Sequence, residues 1–543
     1  MKRDLTLRLL VLAGVSQTPV LAQLGAPPVP AENPITEAKR ILGKALFWDE
    51  QLSSDNSMAC GTCHIPSAGG SDPRLGPGSV HPGLNGLFGD GDDKIASPGV
   101  VHSNQRDNFV PDSIFGFEPQ VTGRRAPTTL GAAYFPTLFW DGRATSQFVN
   151  PETGATSIAV GGALESQAVG PILSSAEMAH EGRTWDDVRN KLDSVDPLAL
   201  AWDMPADLAA ALAPEPSYGD LFEDAFGDSA ITAERIGFAI ATYERTLVPD
   251  QTPWDLFQAG NGGALTAQQV QGMNAFNGPA RCNQCHSGPL FSDGSFRNIG
   301  LRPIVEDNGR QAITGNPADR GRFKVPGLRN VELRGRWFHN GSPPDNTLNN
   351  AVGVYQGGGG PFDNNKDPIL NGLNFPPQVR NNITAFLTAL TDPRVENELP
   401  PFDRPQLNSE RPIANPLPFG TGVAGSDGII PQTIAVVPPN IGNTDFKIGV
   451  HGGRGGAMAY LRWSMDPTQP GRTLGAAGLF DISPRRVLRL RGSGPGEGYA
   501  TYHVDMPDDP VLIGSQSTMR WIIFDPAAAA GRARTQPVEL TLF

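Results

Sequence analysis

Cysteine is nearly absent: the 543 residues contain four. That excludes a disulfide framework, which belongs to small, cysteine-dense chains. Long apolar runs are missing too. Nothing reaches the roughly 18 consecutive apolar residues of a membrane-crossing helix, so no membrane span is expected. Basic residues are outnumbered, 43 Lys and Arg against 56 Asp and Glu, for a net charge of −13. An acidic chain argues against nucleic acid and suits a basic electron-donor protein, although solubility alone accounts for such a charge equally well.

The four cysteines that are present sit in two copies of one pattern, Cys60-Gly-Thr-Cys63-His64 and Cys282-Asn-Gln-Cys285-His286. In C-x-x-C-H the two thiols add across the vinyl groups of a haem, and the histidine becomes the proximal ligand of its iron. A zinc site pairs its C-x-x-C elements at short range, whereas about 220 residues separate these two. A thiol–disulfide motif leaves the repeated histidine unexplained. Two covalent c-type haems follow, bound through Cys60, Cys63, Cys282 and Cys285, with their irons on His64 and His286.

Haem is attached to such motifs outside the cytoplasm, and the N-terminus agrees. Lys2, Arg3 and Arg8 precede the apolar run from Leu9 to Val15, and Val20-Leu21-Ala22 offers small residues for cleavage before Gln23. Residues 1–22 therefore read as a secretory signal peptide, and the mature protein is expected to be periplasmic or secreted.

The chain is too long for one core. A helix is expected before each haem motif: one from Ile35 to Trp48, and one opened by Thr266 and Gln269 as a capping box. Apolar stripes at helical spacing mark two more, over residues 232–248 and 379–390. From Asp392 the text becomes rich in Pro, Gly and Asn, as in a linker. From Thr433 short β-rich runs follow at sandwich-like intervals. The expected fold is mainly α: two cytochrome c-like haem domains followed by an all-β, sandwich-like C-terminal domain. The expected limits are 23–215 and 216–405 for the haem domains, 406–430 for the linker and 431–543 for the β domain.

Several stretches together resemble the bacterial di-haem cytochrome c peroxidase and MauG family. They are Leu42-Gly-Lys-Ala-Leu-Phe-Trp-Asp49, Phe139-Trp-Asp-Gly-Arg-Ala144, Gln167-Ala-Val-Gly-Pro171 with Glu177-Met178, Phe323-Lys-Val-Pro-Gly-Leu-Arg-Asn330 and Phe338-His-Asn-Gly341. The resemblance runs from about Pro34 to Asp392 and does not cover the β-rich tail. It implies that hydrogen peroxide binds at the N-terminal haem, on His64. Glu177 and Gln167 match the family's catalytic carboxylate and amide, with Pro171 packing over the haem. Trp140 matches the tryptophan between the haems, where its indole N–H can anchor a propionate and its ring can relay electrons. His81 lies where many family peroxidases carry a histidine that caps the resting iron; an exposed bystander is an equal reading.

Three departures from the family pattern stand out. Tyr355, in Ala351-Val-Gly-Val-Tyr355, occupies the place of the second haem's distal methionine, as in MauG-like members. A phenolate favours ferric and higher states, so it implies a low-potential haem. Arg124-Arg125-Ala126-Pro127-Thr128 and Leu333-Arg334-Gly335-Arg336 stand where members hold a calcium ion. Calcium between the haems is therefore doubtful, and guanidinium groups paired with haem propionates are expected in its place. An insertion between Ala144 and Leu164 is expected to border the peroxide pocket.

Three functions follow. The first is a peroxidase drawing electrons from a small cytochrome c or copper protein. The second is a MauG-like oxidase that uses peroxide to oxidise a protein or organic substrate by long-range electron transfer. The third is a non-catalytic di-haem electron carrier.

Overall fold

The computed structural model describes residues 24–342, 347–412, 415–464 and 487–543. The expected signal peptide lies outside the described residues. Among them, no helix is long and apolar enough to cross a membrane.

The two expected haem units are built alike. Helix α1, Glu37–Trp48, starts where the Thr36 side chain accepts the Lys39 N–H, and it buries Leu42, Ala45 and Leu46. Of the helices further along this unit, α2 (Ala163–Ala168) and α3 (Ala233–Glu244) matter for the site, and α1 crosses the backbone of α3 closely. A Cβ at Gly43 would lie 1.9 Å from the Ala239 carbonyl oxygen, so only glycine permits this approach. The second unit repeats the device. Helix α4, Ala267–Asn277, carries the expected Thr266–Gln269 capping box. Beyond α5 (Leu348–Gln356) it meets α6, Pro377–Thr388, where a Cβ at Gly272 would lie 1.9 Å from the Asn382 carbonyl oxygen. Each C-x-x-C-H thus follows, after a short connection, a helix held against a second helix. Leu46, Ile236 and Ile240 share one core, and Phe276, Ile383 and Phe386 another.

The stretch after Asp392 departs from a linker over its first part. Phe402 and Leu407 are buried in the core of the first unit. Trp202 and Gln406 exchange backbone hydrogen bonds, and the Glu50 carboxylate accepts the N–H groups of Asn408 and Ser409. Proline-rich text specifies extended backbone; it does not reveal that two apolar side chains will pin that backbone to a distant core.

Two strands of the first unit, β1 (Pro98–Val101) and β2 (Pro119–Val121), pair antiparallel. The C-terminal region contributes β3 (Leu417–Pro418), β4 (Gln432–Ile434), β5 (Lys447–Gly453), β6 (Met458–Ser464), β7 (Leu488–Arg489), β8 (Gly498–His503), β9 (Gln516–Phe524), β10 (Arg532–Arg534) and β11 (Val538–Thr541). One sheet has the order β4-β5-β8. The other runs β7-β6-β9-β11-β3, with β10 also on β9, and every pairing is antiparallel. Alternate residues Met519, Trp521 and Ile523 of β9 point inward and meet Ile448 and Val450 of the smaller sheet in one shared core. Val101 and Phe109, from the first helical unit, belong to that same core.

Candidate active site

One cavity joins the two helical units and is lined by both motifs, including His64 and His286. The Nδ1 of His64 lies 3.1 Å from the Gly70 carbonyl oxygen, and that of His286 lies 2.9 Å from the Phe291 carbonyl oxygen. A carbonyl only accepts, so each Nδ1 carries the proton and each Nε2 is left to bind an iron. Burial pushes both imidazoles down toward the neutral, ligating form. Burial also pushes the Cys60 and Cys282 thiols up to about 12, so neither is a thiolate poised for metal binding or disulfide exchange.

Haem fits this cavity by a further observation. Arg125 donates through Nη2 to the carbonyls of Asp72 and Arg334, while its Nε and Nη1 find no partner among the described residues. Arg334 donates through Nη2 to the carbonyls of Gly327 and Arg329, and its Nε is likewise unpaired. Both side chains are buried and line the cavity, and burial pushes both down to about 10. Orphaned guanidinium donors in a buried wall fit an anionic guest, and haem propionates have that chemistry.

On the His64 side, α2 presents Gln167, and the turns after it present Pro171 and Glu177 to the same cavity. Burial pushes the Glu177 carboxyl up, while the Arg143 charge and a hydrogen bond from Ser174 pull it partly back. A carboxyl raised in this way holds its proton more tightly than an exposed one and is a candidate for proton transfer. On the His286 side, α5 places Tyr355 on the cavity wall with Ala351 and Val352. Burial holds its phenol well above the ordinary value.

Trp140 lines the cavity as expected, but its indole N–H donates to the Arg125 carbonyl at 2.8 Å. The indole's single donor is therefore spent on backbone rather than on a propionate. His81 does not line the cavity. It sits on a two-residue strand paired with Lys94–Ile95, accepts the Gly83 N–H, and points its ring edge at Phe115. The insertion forms a hairpin, Phe148–Val149 with Thr156–Ile158, and none of these strand residues lines the cavity. Phe148 is buried against Phe238 of α3, and Glu152 pairs with Arg189.

Other side chains on the wall carry chemistry that the sequence reading left unassigned. Glu244, at the end of α3, is buried with Oε2 unpaired, and burial raises its carboxyl to about 8. It falls four residues after Ile240 on the predicted apolar stripe, and an acid in such a stripe was the available signal. Lys324 donates to the Thr137 carbonyl at 2.7 Å over the Phe135 ring, and burial lowers its ammonium to about 7. His339 is pushed down to about 3 by burial and stacks on Phe323 at 3.6 Å, with Trp140 edge-on to it. Both residues lay inside quoted motifs without a role.

The family model for di-haem cytochrome c peroxidase matches residues 37–263. Cytochrome-c peroxidase IdrP1 of Denitromonas iodatirespirans is 30% identical over 421 residues, covering 71% of this chain and 90% of that protein. This chain belongs to the di-haem cytochrome c peroxidase and MauG family. Methylamine utilization protein MauG of Methylophilus methylotrophus is 32% identical over 317 residues, covering 58% of this chain and 72% of that one. A solved MauG-like protein associated with microbial copper homeostasis shares the fold, with a TM-score of 0.50 at 22% identity over 70% of this chain and 96% of its own. As a member of this family the protein is an oxidoreductase with haem cofactors, consistent with a di-haem peroxidase or a MauG-like oxidase.

Proposed function

We propose that the protein reacts with hydrogen peroxide on the side of the cavity where His64 would hold one haem, while a second haem, which His286 and Tyr355 would hold, would supply or share redox equivalents. Both haems are covalent, through Cys60 and Cys63 and through Cys282 and Cys285. When bound, haem supplies the electron-transfer chemistry; the chain's own residues supply protons, position and exclusion of water. The observation that carries this reading is the division of one cavity. Within the one lining, the Glu177 charge acts on Cys60 and Cys63, whereas Tyr355 feels Cys282 and Cys285.

Glu177 gives and takes the proton that must pass between the two peroxide oxygens, a role worth about 10²–10⁴ in rate. Gln167 orients peroxide through its amide, and Pro171 keeps that wall apolar. Trp140, edge-on to the stacked His339 and Phe323, is the aromatic path between the two halves. His81 stands off the cavity and would not be among the residues that hold a haem on His64. The Arg125 guanidinium already bonds the Arg334 carbonyl at 3.0 Å, which leaves that oxygen engaged where relatives would use carbonyls for calcium.

Tyr355 favours the MauG-like reading, in which peroxide serves to oxidise a protein or organic substrate. Without it, a cytochrome c or copper protein as electron donor is the expected partner. We divide the haem units near residue 250 instead of at 215, because α3 packs into the core of the first unit and Phe402 and Leu407 return to it; the described residues after 431, with β3, make up the sandwich-like unit. Export by residues 1–22 places the mature protein in the periplasm or outside the cell. The test is peroxide consumption by the holoprotein with and without reduced cytochrome c. Donor-dependent turnover supports the peroxidase, and a spectral response to stoichiometric peroxide without donor turnover supports the oxidase. No spectral response in either redox state overturns both.

A further inference from the structure

The C-terminal β unit does more than abut the first haem unit. Phe109, from the loop joining β1 to β2, is 1% exposed inside the β-unit core. Its ring lies on the backbone of β5, where a Cβ at Gly449 would meet Phe109 Cδ2 at 2.8 Å. The Lys447 ammonium of β5, itself 1% exposed at the side chain, donates to Ser103 Oγ at 3.0 Å and to the Asp107 carbonyl at 3.2 Å. It also pairs with the Asp107 carboxylate. Thr501 Oγ1 accepts the Phe109 N–H at 2.9 Å, and His451 stacks on Phe117 at 4.8 Å. The β unit therefore grips the loop between β1 and β2 along its length.

The other side of that loop meets the peroxide-reacting turn. A Cβ at Gly99 of β1 would lie 2.0 Å from the Ala176 carbonyl oxygen and 2.8 Å from Glu177 Cα, so the strand backbone presses on the turn. Gln120 of β2 donates to the Ser175 carbonyl at 2.7 Å, and the Glu181 N–H donates to the Ser103 carbonyl at 2.9 Å. Ser103 thus bonds Lys447 with its side chain and the Glu177 region with its backbone. Packed interiors of this density transmit strain instead of absorbing it.

We propose that the C-terminal β unit is a positioning element for Glu177: Lys447 and β5 fix the loop between β1 and β2, and β1 fixes the turn that carries the carboxylate. This rests on the proton-transfer role given to Glu177 above. Lys447 and Phe109 are positioning residues; neither lines the cavity. Misplacement of a reacting group by about 1 Å through a distant change costs about 10²-fold in rate. The tail is thereby tied to the chemistry without contributing an atom to it.

The test uses the full-length holoprotein in four forms: wild type, Lys447→Met, Glu177→Gln and the double variant. The rate of reaction with stoichiometric hydrogen peroxide is read by stopped-flow absorbance, with haem content per chain as the control. Lys447→Met is expected to slow the reaction about 10- to 100-fold with haem content unchanged, and to add nothing once Glu177 is already Gln. If Lys447→Met does not accumulate as holoprotein, Phe109→Leu keeps apolar volume while disturbing the seat on Gly449, and it is read the same way. Tether variants within twofold of wild type, beside a slow Glu177→Gln, overturn the positioning role and leave Glu177 standing. A tether loss that adds in full on top of Glu177→Gln overturns the route through Glu177. A Glu177→Gln protein as fast as wild type overturns the carboxylate role and the proposal with it.

Discussion

Replacing Glu165 by glutamine should destabilise the first haem unit at one identifiable place. Glu165 and Arg245 are 0% and 1% exposed at their side chains and form a two-pronged pair, 2.7 and 2.9 Å long. Asn33 donates to the same carboxylate at 2.9 Å, and its own oxygen accepts from Lys39. In Glu165→Gln one prong survives as a neutral hydrogen bond, and the guanidinium loses its counter-charge in a site closed to water. Breaking a buried pair from one side costs about 3–5 kcal/mol. Part of that loss has a local remedy. The residue before Arg245, Glu244, is held protonated by burial up to about 8, with the Arg245 charge opposing and the Glu165 charge assisting. Removing the Glu165 charge lets Glu244 ionise earlier and stand in as counter-ion, so the loss belongs at the low end, about 3 kcal/mol. For a unit of this size that is about 6–12 °C in melting temperature. Scanning calorimetry of the holoprotein at pH 6 and pH 8 measures it, with the larger drop expected at pH 6, where Glu244 stays protonated. A shift under about 2 °C at both pH values would show that the pair does not hold α2 to α3.

Three further outcomes are expected. Burial raises the Glu50 carboxyl to about 7, against the pull of the Ser409 and Asn408 N–H groups. The folded state therefore keeps a proton that the unfolded chain releases above about pH 4.5. Stability falls as pH rises from there to about 7 and is flat beyond, by about 3 kcal/mol in all; Glu50→Gln should flatten that slope in pH-dependent thermal melts. Chelation with EDTA should leave peroxide turnover within about twofold, because buried Arg125 and Arg334 line the cavity and would repel a cation there; loss of activity restored by added Ca²⁺ would contradict this. Trp140→Phe should retain both haems yet slow the sharing of oxidising equivalents between them by at least about tenfold, read by stopped-flow spectroscopy after peroxide addition.

Much of the fold was legible because its signals are local. The Thr266–Gln269 box, the apolar stripes of α1, α3 and α6, and the β-rich runs after Thr433 fix elements within a few residues. The motif residues also converge: Gln167, Pro171, Glu177, Trp140 and Tyr355 all reach the cavity shared by His64 and His286. What escaped was long-range. Nothing near Phe402 announces that it will join a core built about 200 residues earlier, and nothing near Phe109 announces the β unit. That the Trp140 indole N–H, able to anchor a propionate, instead meets the Arg125 carbonyl is not legible, because a motif names a residue but not the backbone it will meet. His81 illustrates the same limit, since its position in the text does not fix which way its loop turns.

The most direct measurement is electron paramagnetic resonance of the oxidised holoprotein, wild type beside Tyr355→Phe. One open iron and one tyrosine-ligated iron predict a high-spin ferric signal together with a low-spin signal, and only the low-spin signal should change in Tyr355→Phe. A spectrum unaltered by the substitution, or two low-spin irons with no high-spin component, would contradict the account.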